Sequence, residues 1–225
     1  FVGNLRRGSF TDNLGGLFGL DSGAIIGLEF RFAPIRRAQV IVFRTNLDKT
    51  FQFSGRYDLV RQGGARPFST SAIVSIEGTN NFRSGPAEAA HTGHQHGAGG
   101  EGHRSPAVGA VVSRTIGDRL ALYVTPVWVH HALTLAGEHQ NASFVGLGGR
   151  LRLTPKVYVV WEGSPRTSGE AQGTAEYAFG IEKRMGGHMF QLTFTNAFST
   201  TFGQLATGGT PGAIYMGFNL GRKFY

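Results

Sequence analysis

Cysteine is absent from the 225 residues, which excludes a disulfide-stapled domain and a Cys-based zinc site. Charge is sparse as well. Asp, Glu, Lys and Arg together make up 16 % of the chain, too few for a solvated tail or a disordered acidic segment. Long apolar runs are also missing. Hydrophobic residues reach 40 %, yet no stretch approaches the roughly 18 apolar residues of a membrane-spanning helix. Basic residues outnumber acidic ones 22 to 14, for a formal charge of +8. They stand in ones and twos among acids, as in Glu29 with Arg31 and Arg56 with Asp58, so nucleic acid is not an expected partner. The chain shows neither an initiator Met nor a signal peptide, as expected of a mature chain or a fragment.

What the chain has in excess is glycine, 35 residues, together with 26 aromatics (18 Phe, 6 Tyr, 2 Trp). Their arrangement has a period of two. Ile26, Leu28, Phe30 and Phe32 alternate with Gly27, Glu29 and Arg31. Phe51, Phe53, Gly55, Tyr57 and Leu59 alternate with Gln52, Ser54, Arg56 and Asp58. Tyr177, Phe179 and Ile181 alternate with Glu176, Ala178, Gly180 and Glu182. Phe190, Leu192 and Phe194 alternate with Gln191, Thr193 and Thr195. About eleven such segments follow one another: 22–33, 37–46, 49–61, 68–80, 106–116, 119–131, 142–154, 156–164, 174–184, 188–198 and 213–225. They run from nine to thirteen residues, about twice a typical soluble strand and close to the roughly 9–11 needed to cross a bilayer at a tilt.

The connections alternate in length. Those at 33–36, 117–119, 154–156 and 185–187 are tight, with 62–67 a longer member of the same set. Those at 81–105, 132–141, 165–173 and 199–212 are long, with 46–49 a shorter member. Short periplasmic turns against long extracellular loops are the pattern of an outer-membrane barrel. The expected fold is therefore all-β, an antiparallel up-and-down transmembrane β-barrel in a single domain over 1–225. The C-terminus falls on the periplasmic side, 1–21 forms an N-terminal loop segment and 81–105 a Gly/His-rich extracellular loop. Eleven visible strands conflict with the even number of bacterial single-chain barrels. The expectation is about twelve strands, the first absent from this chain or present as a short strand at 1–10.

The run Gly186-Gly187-His188-Met189-Phe190-Gln191-Leu192-Thr193-Phe194-Thr195-Asn196, continued by Gly217-Phe218-Asn219-Leu220, resembles an uncharacterised family of bacterial outer-membrane β-barrels, a domain-of-unknown-function group. Phe18-Gly19-Leu20-Asp21, Asp48-Lys49-Thr50 and Gly146-Leu147-Gly148-Gly149-Arg150 share the likeness. The resemblance implies a location and an architecture, with one further N-terminal strand ending near Phe1, and no established chemistry.

The polar alternation points Glu29, Arg31, Arg56, Asp58, Glu77, Arg150, Arg152, Glu162, Glu176 and Glu182 into the lumen, with mixed signs as the cost of burying unpaired charge requires. His91, His94, His96 and His103 lie in the Gly-rich loop and form a weak metal candidate, since neutral imidazoles suit Zn²⁺, Cu²⁺ or Ni²⁺. Trp128, Trp161 and Phe224 fit membrane-interface aromatics. His130 and His131, with Ser143 and Glu162 on neighbouring strands, are the residues a rim hydrolase would draw on. No nucleophile-elbow pattern accompanies them, so the chain is not expected to be an enzyme and no cofactor is expected. The leading expectation is a narrow outer-membrane channel or transport pore for small solutes, with outer-membrane lipid as its surroundings. The alternative is a filled barrel that anchors or scaffolds a protein complex through its extracellular loops.

Overall fold

The structure, a computed structural model, describes residues 2–9, 24–83, 103–133, 138–169 and 174–224. The strands are β1 (Val2–Ser9), β2 (Ile25–Ile35), β3 (Ala38–Thr45), β4 (Phe51–Val60), β5 (Ser69–Gly78), β6 (Arg104–Ile116), β7 (Leu120–Leu133), β8 (His139–Arg152), β9 (Val157–Ser164), the short β10 (Arg166–Ser168), β11 (Glu176–Met185), β12 (His188–Thr195) and β13 (Tyr215–Arg222). A single α-helix among the described residues, α1 (Phe202–Thr207), lies between β12 and β13.

From β1 to β8 each strand pairs antiparallel with the next. On the far side, β9 pairs with β11, β11 with β12 and β12 with β13. Two further ladders join the series, β13 with β1 and β8 with β9. Each of the twelve long strands therefore has a hydrogen-bonded neighbour on both sides. The thirteenth, β10, continues the line of β9 along β8, with Arg166 opposite Phe144 and the Val145 N–H donating to the Pro165 carbonyl at 3.0 Å. This is the up-and-down barrel that the period and the loop lengths anticipate.

The twelfth strand is β1. Residues 2–9 pair through Leu5 with Phe218 on one side and Ile26 on the other, so the start of the chain is strand and not loop throughout. Its sequence, VGNLRRGS, carries no clean alternation, which is why the period does not find it.

The tight connections end in backbone conformations that the sequence supplies. Gly186 (φ 55°) and Gly187 (φ 82°) are both left-handed and form a two-residue hairpin loop between paired Met185 and His188, as the right-handed twist of the flanking strands requires.

Polarity is reversed relative to a soluble protein. Phe30, Phe32, Val74, Val108, Phe179 and Ile181 are exposed on the outer face, while Thr45, Ser71, Glu77, Ser105, Glu176, Thr193 and Thr195 are buried inside. An apolar exterior around a polar interior suits a barrel surrounded by lipid. No helix among the described residues is long and apolar enough to cross a membrane.

Candidate functional site

The lumen divides into two halves of different chemistry. At the long-loop end its centre is occupied by the chain's own 196–214 segment. Phe198 packs with Ile25 of β2 and Tyr215 of β13, its ring centroid 3.9 Å from that of Tyr215. Phe202, Leu205 and Ala206 of α1 pack on Ala107, Val127, Val129, Ala142 and Phe144 of β6, β7 and β8. Counting round the twelve, β2 and β8 lie six strands apart, so the segment touches opposite walls.

The sequence explains why the segment holds this shape. Thr201 caps α1, accepting from the Gln204 N–H, while the Gln204 side chain accepts from the Thr201 N–H, a reciprocal capping box. Gly203 donates its N–H to Glu77 Oε2 at 2.8 Å. A Cβ at that position would stand 2.2 Å from Glu77 Oε1, so only glycine lets the carboxylate reach the helix. Gln52 donates to the same carboxylate at 3.3 Å. Glu77 is 3 % exposed, and these donors offset the desolvation that burial of a carboxylate incurs. On the opposite side Arg166 donates to the Thr207 carbonyl at 3.1 Å, and the Gly209 N–H to the Thr174 carbonyl at 2.9 Å.

Two Thr-Asn pairs anchor the strand ends from which the long-loop connections leave. Asn46 accepts from the Ile26 N–H at 2.8 Å and donates to the Ala24 carbonyl at 3.0 Å. Asn196 does the same to its neighbour, accepting from the Tyr177 N–H at 2.8 Å and donating to the Ala175 carbonyl at 2.9 Å. Thr45 and Thr195 accept from the N–H two residues on, at Leu47 and Ala197. Sequence reasoning missed these residues; the signal that could have found them is the Thr-Asn dipeptide recurring where a period-2 segment meets a long loop.

The short-turn half is charged and partly solvated. Arg31 pairs with Glu29. Asp58 meets Arg56 at 3.4 Å and Arg61 at 3.0 Å, and accepts from the Ser71 hydroxyl at 2.9 Å. Glu182 lies between Arg150 at 3.6 Å and Arg184 at 2.6 Å, and both guanidiniums stand over the Tyr158 ring, at 4.7 and 5.6 Å. Arg152 reaches Asp118 in the turn at 3.5 Å. A cavity of about 580 Å³ opens here, lined by Arg56, Asp58, Arg61, Gln62, Ser113 and Thr115 among others.

Between the halves, Tyr123 donates to Glu162 at 3.3 Å across the intervening β8. It does so over Gly148, where a Cβ would meet the Tyr123 hydroxyl at 2.3 Å. Glu176 is buried and accepts from Thr195 at 3.4 Å. Of the ten charged residues that the alternation points inward, the structure buries Glu77, Glu176 and Glu182, brings Glu29, Arg31, Arg56, Asp58, Arg150 and Arg152 into ion pairs and joins Glu162 to Tyr123. The structure groups them into a carboxylate level under the inserted segment and an arginine-rich level below it.

On the outer face, Trp128, Trp161 and Phe224 are exposed, and the Arg222 guanidinium lies 5.4 Å from the Phe224 ring. Ser143 takes the outward register of β8 and Glu162 the inward register of β9, so the residues a rim hydrolase would use are not brought together. His130 instead contacts Asn141 Oδ1 at 2.8 Å. Of the loop histidines, His91, His94 and His96 lie outside the described residues. His103, at the entry to β6, stands with its ring centroid 4.9 Å from that of His139. Burial, with His139 and His131 beside it, pushes the His103 imidazole down to about 4, which leaves it uncharged at neutral pH.

A family model described as a membrane bound beta barrel domain, DUF5777, matches residues 4–224. No curated protein matches the chain. Among solved structures, the NanC porin is similar over 99 % of this chain and 98 % of its own, with a TM-score of 0.61 at 10 % identity. LpxR from Salmonella typhimurium aligns over 100 % of both chains with a TM-score of 0.48 at 8 % identity. At such identities the likeness concerns fold alone. With twelve strands, an apolar exterior and a polar lumen, the chain belongs to the membrane-bound β-barrel domain family DUF5777.

Proposed function

We propose that the protein is an outer-membrane channel of narrow bore for small solutes, constricted at its long-loop end by the 196–214 segment, with the C-terminus and tight turns on the periplasmic side. The observation that carries this reading is the contrast within one lumen. The short-turn half keeps solvated, paired charges and an open cavity, whereas the segment narrows the other half to a polar and apolar contact surface. A ring of twelve strands lies between small filled barrels and the 16–18-strand porins with wide channels, so one inserted segment is enough to set its bore.

The second reading is a filled barrel that anchors or scaffolds an outer-membrane assembly. It is favoured by the seam of Phe202, Leu205 and Ala206 on the β6–β8 wall, which would hold the segment permanently in place.

Planar-bilayer recording separates the two. The purified wild type is expected to give small conductance steps, and a variant with 199–211 replaced by a short Gly-Ser linker larger ones. Silence of the wild type with conductance in the variant marks the segment as a gate on the same channel. Silence of both, with heat-modifiable gel mobility showing that both are folded, overturns the channel and leaves the filled barrel.

A further inference from the structure

At the long-loop rim, four histidines from the ends of three adjacent strands stand together. His103 enters β6, His130 and His131 lie near the end of β7, and His139 begins β8. Ring centroids are 4.9 Å apart for His103 and His139, 6.3 Å for His131 and His139, and 3.9 Å for His130 and His131. Two features of the backbone produce this grouping. A bulge interrupts the β7–β8 register between Val129 and Ala132, and His131 inside it has a left-handed φ of 53°. Its carbonyl accepts from the Ser105 hydroxyl at 2.8 Å, tying the bulge to β6, which His103 immediately precedes. A non-glycine residue held in this region by its surroundings is a costly conformation that clusters at sites with a task.

We propose that His103, His131 and His139 form a binding site for a divalent transition-metal ion of the Zn²⁺, Cu²⁺ or Ni²⁺ class. Two imidazoles on one such ion, each at about 2.0–2.1 Å, place their ring centroids roughly 5 Å apart in tetrahedral geometry, close to the His103–His139 spacing. Neutral imidazole is the ligand these ions favour, and hard Mg²⁺ or Ca²⁺ would find too few oxygens here. His103 is already oriented: its Nδ1 lies 3.2 Å from Thr79 Oγ1, which can accept from Nδ1–H and leave Nε2 as the ligating atom. As placed, no three His, Cys, Asp or Glu side chains among the described residues converge on one metal position. Binding therefore requires the His131 and His139 rings, both on exposed residues, to turn about their side-chain torsions.

The test is calorimetric titration of the folded, detergent-solubilised protein with Zn²⁺. It compares the wild type, the rim variant H103A/H131A/H139A and the loop variant H91A/H94A/H96A. The expected result is saturable binding of about one ion, weakened at least about tenfold in the rim variant and kept in the loop variant. Absence of saturable binding, an unchanged rim variant, or an equal loss in the loop variant overturns the site. If heat-modifiable mobility shows the rim variant to be unfolded, the single H139A variant takes its place, with the same tenfold loss expected and the same unchanged affinity overturning.

Discussion

At the scale of single residues, the lumen is built by pairing small residues with large neighbours that need their space. Gly148 is the clearest case: Tyr123 crosses above it to reach Glu162, and the Trp161 carbonyl lies 2.8 Å from where a Cβ would be. Next but one, Gly146 has ordinary contacts, 3.5 and 3.6 Å from Thr125. Gly148→Ala is expected to destabilise the barrel by about 1–3 kcal/mol through overpacking against backbone. Gly146→Ala should be close to neutral. Urea titrations followed by heat-modifiable mobility measure both, and equal effects would show that the Tyr123 crossing is not the constraint. The period-2 pattern makes the inward register of these glycines legible. It does not show which of them a neighbour lies over, because that depends on the cross-strand register of β7, β8 and β9.

At the scale of elements, the 196–214 segment decides what the lumen is. From the sequence it is one of four long connections, with no sign that it turns inward. Its inward course depends on contacts distant in the chain: Glu77 with Gly203, 126 residues apart, and Gln204 with Thr50, 154 apart. Glu77 is the wall side of this latch. Glu77→Ala removes the acceptor for the Gly203 N–H and leaves that donor buried, at a cost of about 1–3 kcal/mol confined to the segment. Proteolysis within 199–211 should become faster and conductance larger, while the strands stay protected. A segment as resistant as in the wild type would mean that the apolar seam on β6–β8 suffices to hold it.

At the scale of the whole molecule, charge is distributed along the axis. Six guanidiniums of the short-turn half, from Arg31, Arg56, Arg61, Arg150, Arg152 and Arg184, face four carboxylates, from Glu29, Asp58, Asp118 and Glu182. Several of these groups are a third or more exposed, so their pairs add little stability. Their effect is on the local potential, which a low-dielectric wall concentrates. The excess of two positive charges predicts a preference for anions. The double reversal Arg150→Glu and Arg152→Glu should move the zero-current potential in a KCl gradient toward cation preference. An unchanged potential would place the selectivity elsewhere, at the constriction under the inserted segment. Two of the eight surplus positive charges in the composition thus have a place inside the barrel.

The sequence by itself determined the wall: strand length, alternation and turn chemistry are local, and each is written within ten or twelve consecutive residues. It also determined which charges share a face, since one register fixes every side chain of a strand. The parity of the strand count was legible too, although the strand that satisfies it, β1, carries too little alternation to be seen alone. Tertiary structure decided the rest. The inward fold of 196–214, the grouping of the lumen charges into two levels and the meeting of His103, His131 and His139 at the rim all join residues far apart in the chain. No local pattern specifies such contacts. They form because the ring of strands confines the segment and these side chains within reach of partners that will accept their hydrogen bonds and apolar surface.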